Sequence, residues 1–476
     1  MSQVKRTGIA TKIVCTIGPA SNSPAVLRRM IQAGMDVARI NFSHGNYEEH
    51  LKNIQMIRQV SQRVRRQVAI LQDLPGPKIR VGKLPVEPFH LRKFDRVVLT
   101  TKPTTAKTKI PVPYPDLPKA VKKSDMIYLA DGSIQIEVTR SKKEEVEGRV
   151  LVGGELVSGK GVNLPRLRIR VSAITKEDRE HLKFGLENDI DIVAVSFVQD
   201  ADDVKSARDI AAGKGRSPFI VAKIEKREAV TNLENVVKEA DGVMVARGDL
   251  GVELNLELVP VIQKKIIHEA NRYGKPVITA TQMLESMLSS PTPTRAEATD
   301  VANAIIDGSD ALMLAEETAV GKYPVQAVQV LSTVAHETEK YLPKQISEQR
   351  KLWYENAADD AIALAACETS LEVGASAIVS RTRTGKTARL VAKYRPPLPI
   401  LALTPNQKVL KQLLLSWGVK PVLADHVTML EDVFRGAEKT AKSLRLARKG
   451  DKIAIVCGDP EAPAGHTEIL KIQSVK

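Results

Sequence analysis

The feature that most constrains the fold is an alternation of short apolar runs with amphipathic, helix-like segments. The helix-like segments cover residues 24–34, 47–59, 176–186, 228–239, 257–273 and 294–305. The eight apolar runs cover residues 12–18, 37–43, 69–73, 191–197, 219–225, 242–248, 276–282 and 310–317. Alternating strands and helices indicate a parallel sheet, and eight such units favour a closed (β/α)8 TIM barrel over an open sheet.

The alternation is interrupted once and then ends. Between residues 74 and 171, β-like runs at 96–100, 126–130 and 134–139 replace the helices, which predicts a small β-barrel domain inserted after the third strand. An insertion on the catalytic face of a barrel is a candidate lid. From residue 342 onward, an Ala-rich helix and three further strands predict a C-terminal α/β domain. We therefore expect a barrel from residues 1–73 and 172–341, a lid from 74–171 and a third domain from 342–476.

Composition limits the kinds of molecule that this protein is expected to bind. The net charge of +15 and the pI near 9.5 suit nucleic acid or an anionic metabolite. Basic residues are spread along the chain, and aromatic residues make up only 4%, which argues against nucleic acid. No apolar run is long enough to span a bilayer, so no membrane partner is expected. The three cysteines, Cys15, Cys367 and Cys457, form no CxxC pair. Together with the absence of a signal-peptide pattern, this predicts a reducing, cytoplasmic location.

Polar residues cluster where the apolar runs end, and this is the face on which barrel enzymes build their sites. Lys223 and Glu225 are two residues apart, as are Arg247 and Asp249. On extended strands each pair shares one face, so two carboxylates, an ammonium and a guanidinium converge, which predicts a divalent cation and a phosphate bound in part by the Arg247 guanidinium. Glu225 and Asp249 suit Mg²⁺, and Lys223 suits a transferring phosphoryl group. The alternative is a set of structural salt bridges.

Two further runs carry weaker signals of the same kind. Arg39, Asn41 and Ser43 alternate onto one face of the second run, with His44 beginning the loop. Arg39 suits phosphate, whereas His44 fits either a general base or a hydrogen-bonding residue at the edge of a ligand. Thr281 ends the seventh run, where it could position a water or act simply as a β-former.

A basic, hydroxyl-rich loop follows the first strand of the third domain and precedes a helix. Its residues are Thr382, Arg383, Thr384, Gly385, Lys386 and Thr387. Hydroxyls, backbone N–H groups and a helix N-terminus predict an anion site, and the alternative is a capped, solvated loop. It is not a nucleotide P-loop, because Ser380 stands where the first glycine of that motif belongs.

With these motifs in view, the chain resembles the pyruvate kinases over almost its whole length. The resemblance is carried by KIVCTIGPA at residues 12–20, Lys223-Ile-Glu225, MVARGDLGVE at 244–253, TQMLESM at 281–287 and PTRAE at 293–297. It implies transfer of a phosphoryl group from phosphoenolpyruvate to ADP, giving pyruvate and ATP in glycolysis. It also implies Mg²⁺ (or Mn²⁺), a homotetramer, and a regulatory third domain whose 382–387 loop, facing residues 459–466, binds a sugar-phosphate activator.

The resemblance assigns roles position by position. Glu225 and Asp249 would hold the metal, Lys223 and Arg39 would contact the phosphoryl group, and Thr281 would lie where the enolate is protonated. Arg247 would act mainly through its backbone, which weakens the idea that its guanidinium binds phosphate. Backbone amides of Ala246, Arg247 and Gly248 would meet the substrate carboxylate. Other implied substrate-pocket positions are Ser196, Phe197 and Glu317, and the implied nucleotide positions are Asn41, His44 and Arg80.

Three departures from the family pattern stand out. Many members bind K⁺ at the counterparts of Asn41, Ser43, Asp73 and the Leu74 carbonyl, with a glutamate in the motif that here reads Gly76-Pro77-Lys78-Ile79-Arg80. The ammonium of Lys78 can replace that cation, so we expect activity without K⁺. Lys176 is displaced by one position from the family's lysine, so we do not carry over its nucleotide contact. Ala315 lacks a hydroxyl common in the family.

Two other functions compete with this interpretation. A Mg²⁺-dependent 2-oxo-acid aldolase would share the metal site but would not need a nucleotide lid. A non-enzymatic protein that binds nucleic acid or sugar phosphates would explain the net charge and residues 381–386, but not the polar groups at the strand ends.

Overall fold

The computed structural model describes residues 9–130, 132–164, 172–213, 215, 217–342, 353–355, 357–463 and 465–476. Within them the eight predicted apolar runs are all strands, and they close into a parallel barrel. Each strand is one to four residues shorter than the run that predicted it, except the third, which matches the prediction. The barrel strands are β1 Lys12–Thr16, β2 Val37–Asn41, β3 Ala69–Asp73, β12 Ile192–Val195, β13 Phe219–Ile224, β14 Gly242–Ala246, β15 Val277–Ala280 and β16 Ala311–Leu314.

Helices surround this barrel, and five of the eleven described begin at a side-chain cap, provided by Ser23, Asn46, Thr175, Asp200 and Thr294. Thr175 and Thr294 each form a reciprocal capping box with the residue three positions later. The predicted helix at 228–239 is interrupted at Asn232, and that at 257–273 begins with a 3₁₀ turn, Leu256–Leu258. The helices are α1 Pro24–Ala33, α2 Tyr47–Arg63, α4 Lys176–Glu187, α5 Ala201–Ala212, α6 Arg227–Thr231, α7 Leu233–Glu239, α8 Arg247–Glu253, α9 Val259–Arg272, α10 Arg295–Ile306, α11 Glu316–Ala319 and α12 Pro324–Glu339.

One predicted strand end is wrong. The run at 242–248 was expected to stay extended through Arg247 and Asp249, but β14 ends at Ala246 and α8 begins at Arg247. The two side chains therefore leave a helical turn rather than one face of a strand. In an α-helix, residues two apart point in different directions, which separates the guanidinium from the carboxylate.

The segment after β3 forms β sheet, as predicted. Its strands are β4 Phe89–Leu91, β5 Arg96–Thr100, β6 Lys109–Pro111, β7 Met126–Leu129, β8 Ile134–Ser141, β9 Glu145–Val152, β10 Gly154–Leu156 and β11 Val162–Asn163, with a short helix α3 Leu117–Ala120. The described strands form an open six-stranded sheet, β11-β7-β8-β9-β5-β6, and a two-stranded sheet, β10-β4, rather than a closed barrel. They share their own apolar core. The predicted boundary at 171/172 falls at the edge of residues 165–171, which lie outside the described residues.

The C-terminal part is an α/β domain with a mainly parallel sheet, β19-β18-β17-β20-β21. Its strands are β17 Ala377–Arg381, β18 Ile400–Thr404, β19 Val419–Leu423, β20 Lys452–Cys457 and β21 Ile469–Ser474. Its helices are α13 Ala358–Glu372, α14 Lys386–Lys393, α15 Gln407–Gln412 and α16 Leu430–Ser443. The predicted boundary at 341/342 borders residues 343–352, which are not among those described.

One buried ion pair and two hydrogen bonds join this domain to the N-terminal ends of the barrel strands. Arg395 donates to both carboxylate oxygens of Asp310, each at 2.9 Å, and Asp310 also accepts from the backbone N–H of Trp417. Lys12 Nζ donates to the carbonyl of Val419 at 2.8 Å. The third domain is therefore bonded to the floor of the barrel, opposite the face where the predicted site lies.

Candidate active site at the carboxyl ends of the barrel strands

Lys223 lies at the centre of the predicted site. It projects from the end of β13, and its Nζ lies 2.9 Å from Glu225 Oε1 and 3.1 Å from Asp73 Oδ1. The same ammonium donates to Ser196 Oγ at 2.7 Å. Burial alone would lower the pKa of Lys223, but Asp73 and Glu225 overcome that effect and raise it. The residue therefore holds a permanent positive charge in a largely desolvated position.

Asp73 ties Lys223 to Arg39. Its Oδ2 accepts from Arg39 Nε at 2.7 Å, and Arg39 Nη1 donates to Thr16 Oγ1 at 2.9 Å. Burial would raise the pKa of Asp73, but Lys223 and then Arg39 lower it below its ordinary value. Sequence reasoning had considered Asp73 only as a K⁺ ligand and did not consider Thr16. The structure makes both part of the framework that orients the two cations.

Glu225 and Asp249 approach the same region from β13 and α8. Glu225 is 1% exposed, and its Oε2 accepts from the Phe197 backbone N–H at 2.8 Å. Its Oε1 faces Lys223 but makes no hydrogen bond of good geometry. Burial raises the pKa of Glu225, and Lys223 opposes this while Asp249 adds to it. Asp249 Oδ1 lies 3.0 Å from Lys78 Nζ.

These two carboxylates fit a divalent cation. Glu225 Oε1 is a buried anionic oxygen that pairs with Lys223 Nζ at 2.9 Å, and Asp249 supplies the second carboxylate near it. Oxygen ligands are what Mg²⁺ and Mn²⁺ take, and Mg²⁺ keeps several waters beyond one or two carboxylates. Among the described residues there is no cluster of three or more His, Cys, Asp and Glu side chains suited to a metal, so a protein-only cage is not what this region offers.

Arg247 does not present its guanidinium to the site, so the first interpretation of it is wrong. Arg247 Nη1 pairs with Asp300 Oδ2 at 2.6 Å, and Nη2 donates to the Thr281 carbonyl at 2.6 Å. The Thr281 hydroxyl in turn accepts from the Gly248 backbone N–H at 3.0 Å. Arg247 therefore fixes the turn after β15. Asp300 was missed, since nothing around it in the sequence marks it as a partner.

Glu317 is also a framework residue. It is 2% exposed, and its two carboxylate oxygens accept from the backbone N–H groups of Leu284 at 3.0 Å and Ala315 at 2.7 Å. Burial raises its pKa although these N–H groups oppose the shift. It joins the turn after β15 to the end of β16. Both carboxylate oxygens of Glu317 are therefore occupied by backbone N–H groups of the two turns.

The predicted nucleotide positions lie together near the joint between barrel and inserted domain. Asn41 Oδ1 accepts from the Ser43 N–H at 3.1 Å, and this turn carries His44. Burial, then Arg80 and Arg39, lower the pKa of His44, which keeps the imidazole neutral near pH 7. Arg80 donates to the Gly159 carbonyl at 3.0 Å.

A cavity of about 400 Å³ opens beside them, lined by Lys78, Arg80, Tyr114, Asn163, Phe197 and Lys226 among others. Lys226 was not predicted, although it follows the Lys223-Ile-Glu225 motif directly. Its ammonium pairs with Glu253 Oε1 at 2.8 Å, and Asn163 Nδ2 of the inserted domain approaches the same oxygen at 3.4 Å. Glu253 therefore links the inserted domain to the barrel.

The positions implied for K⁺ are adjacent in the barrel wall. Asn41 and Asp73 are register partners on β2 and β3, and the Leu74 carbonyl accepts from Ser196 Oγ at 2.7 Å. Lys78 lies on the neighbouring carboxylate, Asp249, rather than on Asp73. The ammonium of Lys78 is thus held by a proposed ligand of the divalent metal, and the replacement of K⁺ by Lys78 stays a prediction.

The loop at 382–387 forms a closed turn at the carboxyl edge of the third domain's sheet. Thr382 Oγ1 accepts from the N–H of Gly385, which has φ +85°. Lys386 pairs with Asp359 and donates to the Gly465 carbonyl at 2.9 Å. A small cavity of about 40 Å³ separates the loop from residues 458–466, with Arg381, Arg383, Thr384 and His466 in its lining. The helix α14 begins at Lys386, so the last two residues of the predicted loop form its first turn.

A barrel whose carboxyl end carries a buried lysine, an arginine and two carboxylates from β13 and α8 is the arrangement expected of an enzyme that acts on phosphorylated substrates with a divalent metal. The family model "Pyruvate kinase, barrel domain" matches residues 9–328, and "Pyruvate kinase, alpha/beta domain" matches residues 360–473. The chain belongs to the pyruvate kinase family and is a phosphotransferase.

Relatives extend the match to nearly the full length. "Pyruvate kinase 2" of Synechocystis sp. is 45% identical over 98% of this chain and 79% of its own. "Pyruvate kinase" of Thermococcus litoralis is 42% identical over 97% of this chain and 98% of its own. The Geobacillus stearothermophilus enzyme of that name is 44% identical over 98% and 80%. Within the described residues, no helix has the length and apolar character needed to cross a membrane.

Proposed function

We propose that this enzyme transfers the phosphoryl group of phosphoenolpyruvate to ADP, yielding pyruvate and ATP. The observation that carries the proposal is the Lys223 ammonium, held by Asp73, Ser196 and Glu225 at the end of β13. Such a cation is already oriented before substrate arrives, so it stabilises the equatorial oxygens of a phosphoryl group in flight without reorganisation. Arg39, anchored on the same Asp73, supplies the second phosphate contact.

Glu225 and Asp249 hold Mg²⁺ or Mn²⁺ in this proposal. The metal, when bound, neutralises charge on the substrate oxygens and orients them. Ala246, Arg247 and Gly248 lie where β14 becomes α8, so their backbone N–H groups suit the substrate carboxylate. The Thr281 hydroxyl, bonded to the Gly248 N–H, suits proton delivery to the enolate.

Asn41, His44 and Arg80 bind the nucleotide on the lid side. The neutral imidazole of His44 next to Arg80 acts as a hydrogen-bonding group instead of a third positive charge. Closure of the inserted domain over this side would exclude water from the transfer. Ser196 and Phe197 complete the wall of the substrate pocket, and Glu317 positions that wall.

A coupled assay of pyruvate formation, with and without Mg²⁺, tests the reaction. Lys223→Met should lower kcat at least a hundredfold and change KM for phosphoenolpyruvate far less, because the ammonium acts in the transition state. Lys238→Met is a matched control, since Lys238 forms an exposed pair with Glu234 on α7. Metal-independent turnover, or an equal loss in both variants, would contradict the proposal.

We also infer from the resemblance how the enzyme is regulated, how it assembles and where it is located. The 382–387 loop binds a sugar phosphate that activates the enzyme, supported by Arg381, Arg383 and Thr384 around one small cavity. Activation by a sugar phosphate should disappear in Thr384→Ala while basal turnover persists. A homotetramer is the expected assembly, which light scattering tests, and the location is expected to be cytoplasmic.

A further inference from the structure

A cavity of about 720 Å³ lies between the barrel floor and the C-terminal domain. The predicted active site lies at the opposite end of the barrel. Its walls come from the end of α2, the turn before β12 and the helix α15. Small-molecule sites occupy about 300–1,000 Å³, so the cavity has the size of a metabolite site. Nothing in the proposed reaction uses it.

The lining is unusually cationic. Its charged members among the described residues are Arg58, Arg65, Arg66, Lys408, Lys411, Asp189 and Asp191. Two of the five cations have carboxylate partners, Arg58 with Asp191 at 2.8 Å and Arg66 with Asp36, at 2.8 Å. In the described part of the chain, Arg65, Lys408 and Lys411 have no carboxylate within ion-pair distance. The cavity therefore has more positive than negative charge.

Lys411 carries the part of this positive charge that is most unfavourable to bury. It is 8% exposed, and its Nζ donates to the Val68 carbonyl at 3.2 Å, an oxygen that also accepts from Arg58 Nη1 at 3.2 Å. Two cations thus share one neutral acceptor. Burial, and then Arg58, lower the pKa of Lys411 to about 8, against the opposing effect of Asp191. A buried ammonium without a counter-ion is unfavourable, and a bound anion would relieve this.

We propose that this cavity binds a small phosphorylated metabolite at a site separate from both the active site and the 382–387 loop. The phosphate is placed against Lys411, with Lys408 and Arg65 at the cavity wall. A phosphate dianion matches this excess of charge better than a single carboxylate does. The side-chain amides of Gln62, Gln67, Gln407 and Gln412 line the same space and suit a hydroxyl-rich body.

Pyridoxal 5′-phosphate is a suitable probe, because it carries a phosphate and an aldehyde. The amine of Lys411 adds to the aldehyde carbon, water leaves to give an imine, and borohydride delivers hydride to fix the product as a secondary amine. Peptide mass spectrometry then reports each lysine separately. At pH 8, we expect pyridoxal 5′-phosphate to label Lys411 at a concentration at least tenfold lower than pyridoxal, which lacks the phosphate. Inorganic phosphate should protect Lys411.

Two variants make the test specific. Lys408→Gln alters an exposed side chain and should remove most of the preference for the phosphorylated probe while leaving labelling by pyridoxal unchanged. Lys386→Ala disturbs the 382–387 loop and should leave the protection by phosphate intact. Equal labelling by the two aldehydes, absence of Lys411 labelling, or protection that is lost in Lys386→Ala would each overturn the proposal.

Discussion

The sharpest consequence of the geometry concerns Asp73, the carboxylate between Lys223 and Arg39. Asp73→Asn keeps the shape of the side chain but removes the charge that faces Arg39 Nε at 2.7 Å and Lys223 Nζ at 3.1 Å. Asp73 is 2% exposed, so two largely buried cations would lose their shared counter-ion. Removing one partner of a buried ion pair costs about 3–5 kcal/mol, and we expect a loss of this size in the free energy of unfolding.

Tryptophan fluorescence during urea unfolding measures this loss in the relevant domain. The chain has two tryptophans, Trp353 and Trp417, and both are buried in the apolar cluster of the barrel. Asp249→Asn in metal-free buffer is the matched control. Its pair with Lys78 is 22–25% exposed, so we expect a loss of about 0–1 kcal/mol. Similar losses in the two variants would refute the argument from burial.

The pH dependence gives a second check on the same residue. The pKa of Asp73 is lowered in the folded state, so its charge contributes fully to stability above the ordinary value of 3.8 and loses that contribution as pH falls through the folded-state pKa. The difference in unfolding free energy between wild type and Asp73→Asn should therefore be constant from pH 7 to pH 5. It should shrink only in more acidic buffer. A difference that shrinks near neutral pH would show that another group is responsible.

Three further predictions concern neighbouring residues. Wild-type turnover should be the same in potassium and in tetramethylammonium salts, whereas Lys78→Glu should make turnover depend on K⁺; collapse of wild-type activity without K⁺ would remove the proposed role of Lys78. Glu317→Gln should lower the free energy of unfolding by about 1–3 kcal/mol, seen in thermal unfolding, because an amide cannot accept from both Leu284 and Ala315. Thr281→Gly should lower kcat at least tenfold, because it removes the hydroxyl that accepts from the Gly248 N–H and is proposed to deliver the proton; an unchanged kcat would contradict this role.

The fold was largely predictable because a barrel strand is a local pattern. Each run is apolar, short and followed by a capped helix, and no distant residue is needed to recognise it. Lys223 and Glu225 were predictable for the same reason: a charge at the end of such a run has few structural explanations. The error at Arg247 and Asp249 has the opposite origin. Whether a chain stays extended or turns into a helix after its last buried residue depends on tertiary contacts, here those of Arg247 with Asp300 and Thr281.

Partners from distant parts of the chain could not be predicted by such patterns. Asp73 and Lys223 are 150 residues apart, and Arg247 and Asp300 are 53 apart. The sequence pattern identifies neither pair. An aspartate at the end of a strand, such as Asp73, is equally consistent with a metal ligand, a cap and an ion pair, and an aspartate within a helix, such as Asp300, usually faces solvent. The role of Asp73 as a bridge between two cations follows only from the closure of the barrel.

Three residues near the site have strained backbone conformations, and contacts with distant residues stabilise two of them. Phe197, Thr281 and Gln282 have positive φ values of +56°, +66° and +54°, which β-branched and bulky residues adopt only when their surroundings enforce it. In two of the three the enforcing contact is charge-assisted. Glu225 accepts from the Phe197 N–H at 2.8 Å, and Arg247 donates to the Thr281 carbonyl at 2.6 Å. Glu225 and Arg247 therefore hold these turns in conformations that local propensity opposes, and Glu225 is in addition one of the two proposed metal ligands. Local sequence rules fail at such positions, and this failure is itself a physical sign of a functional site.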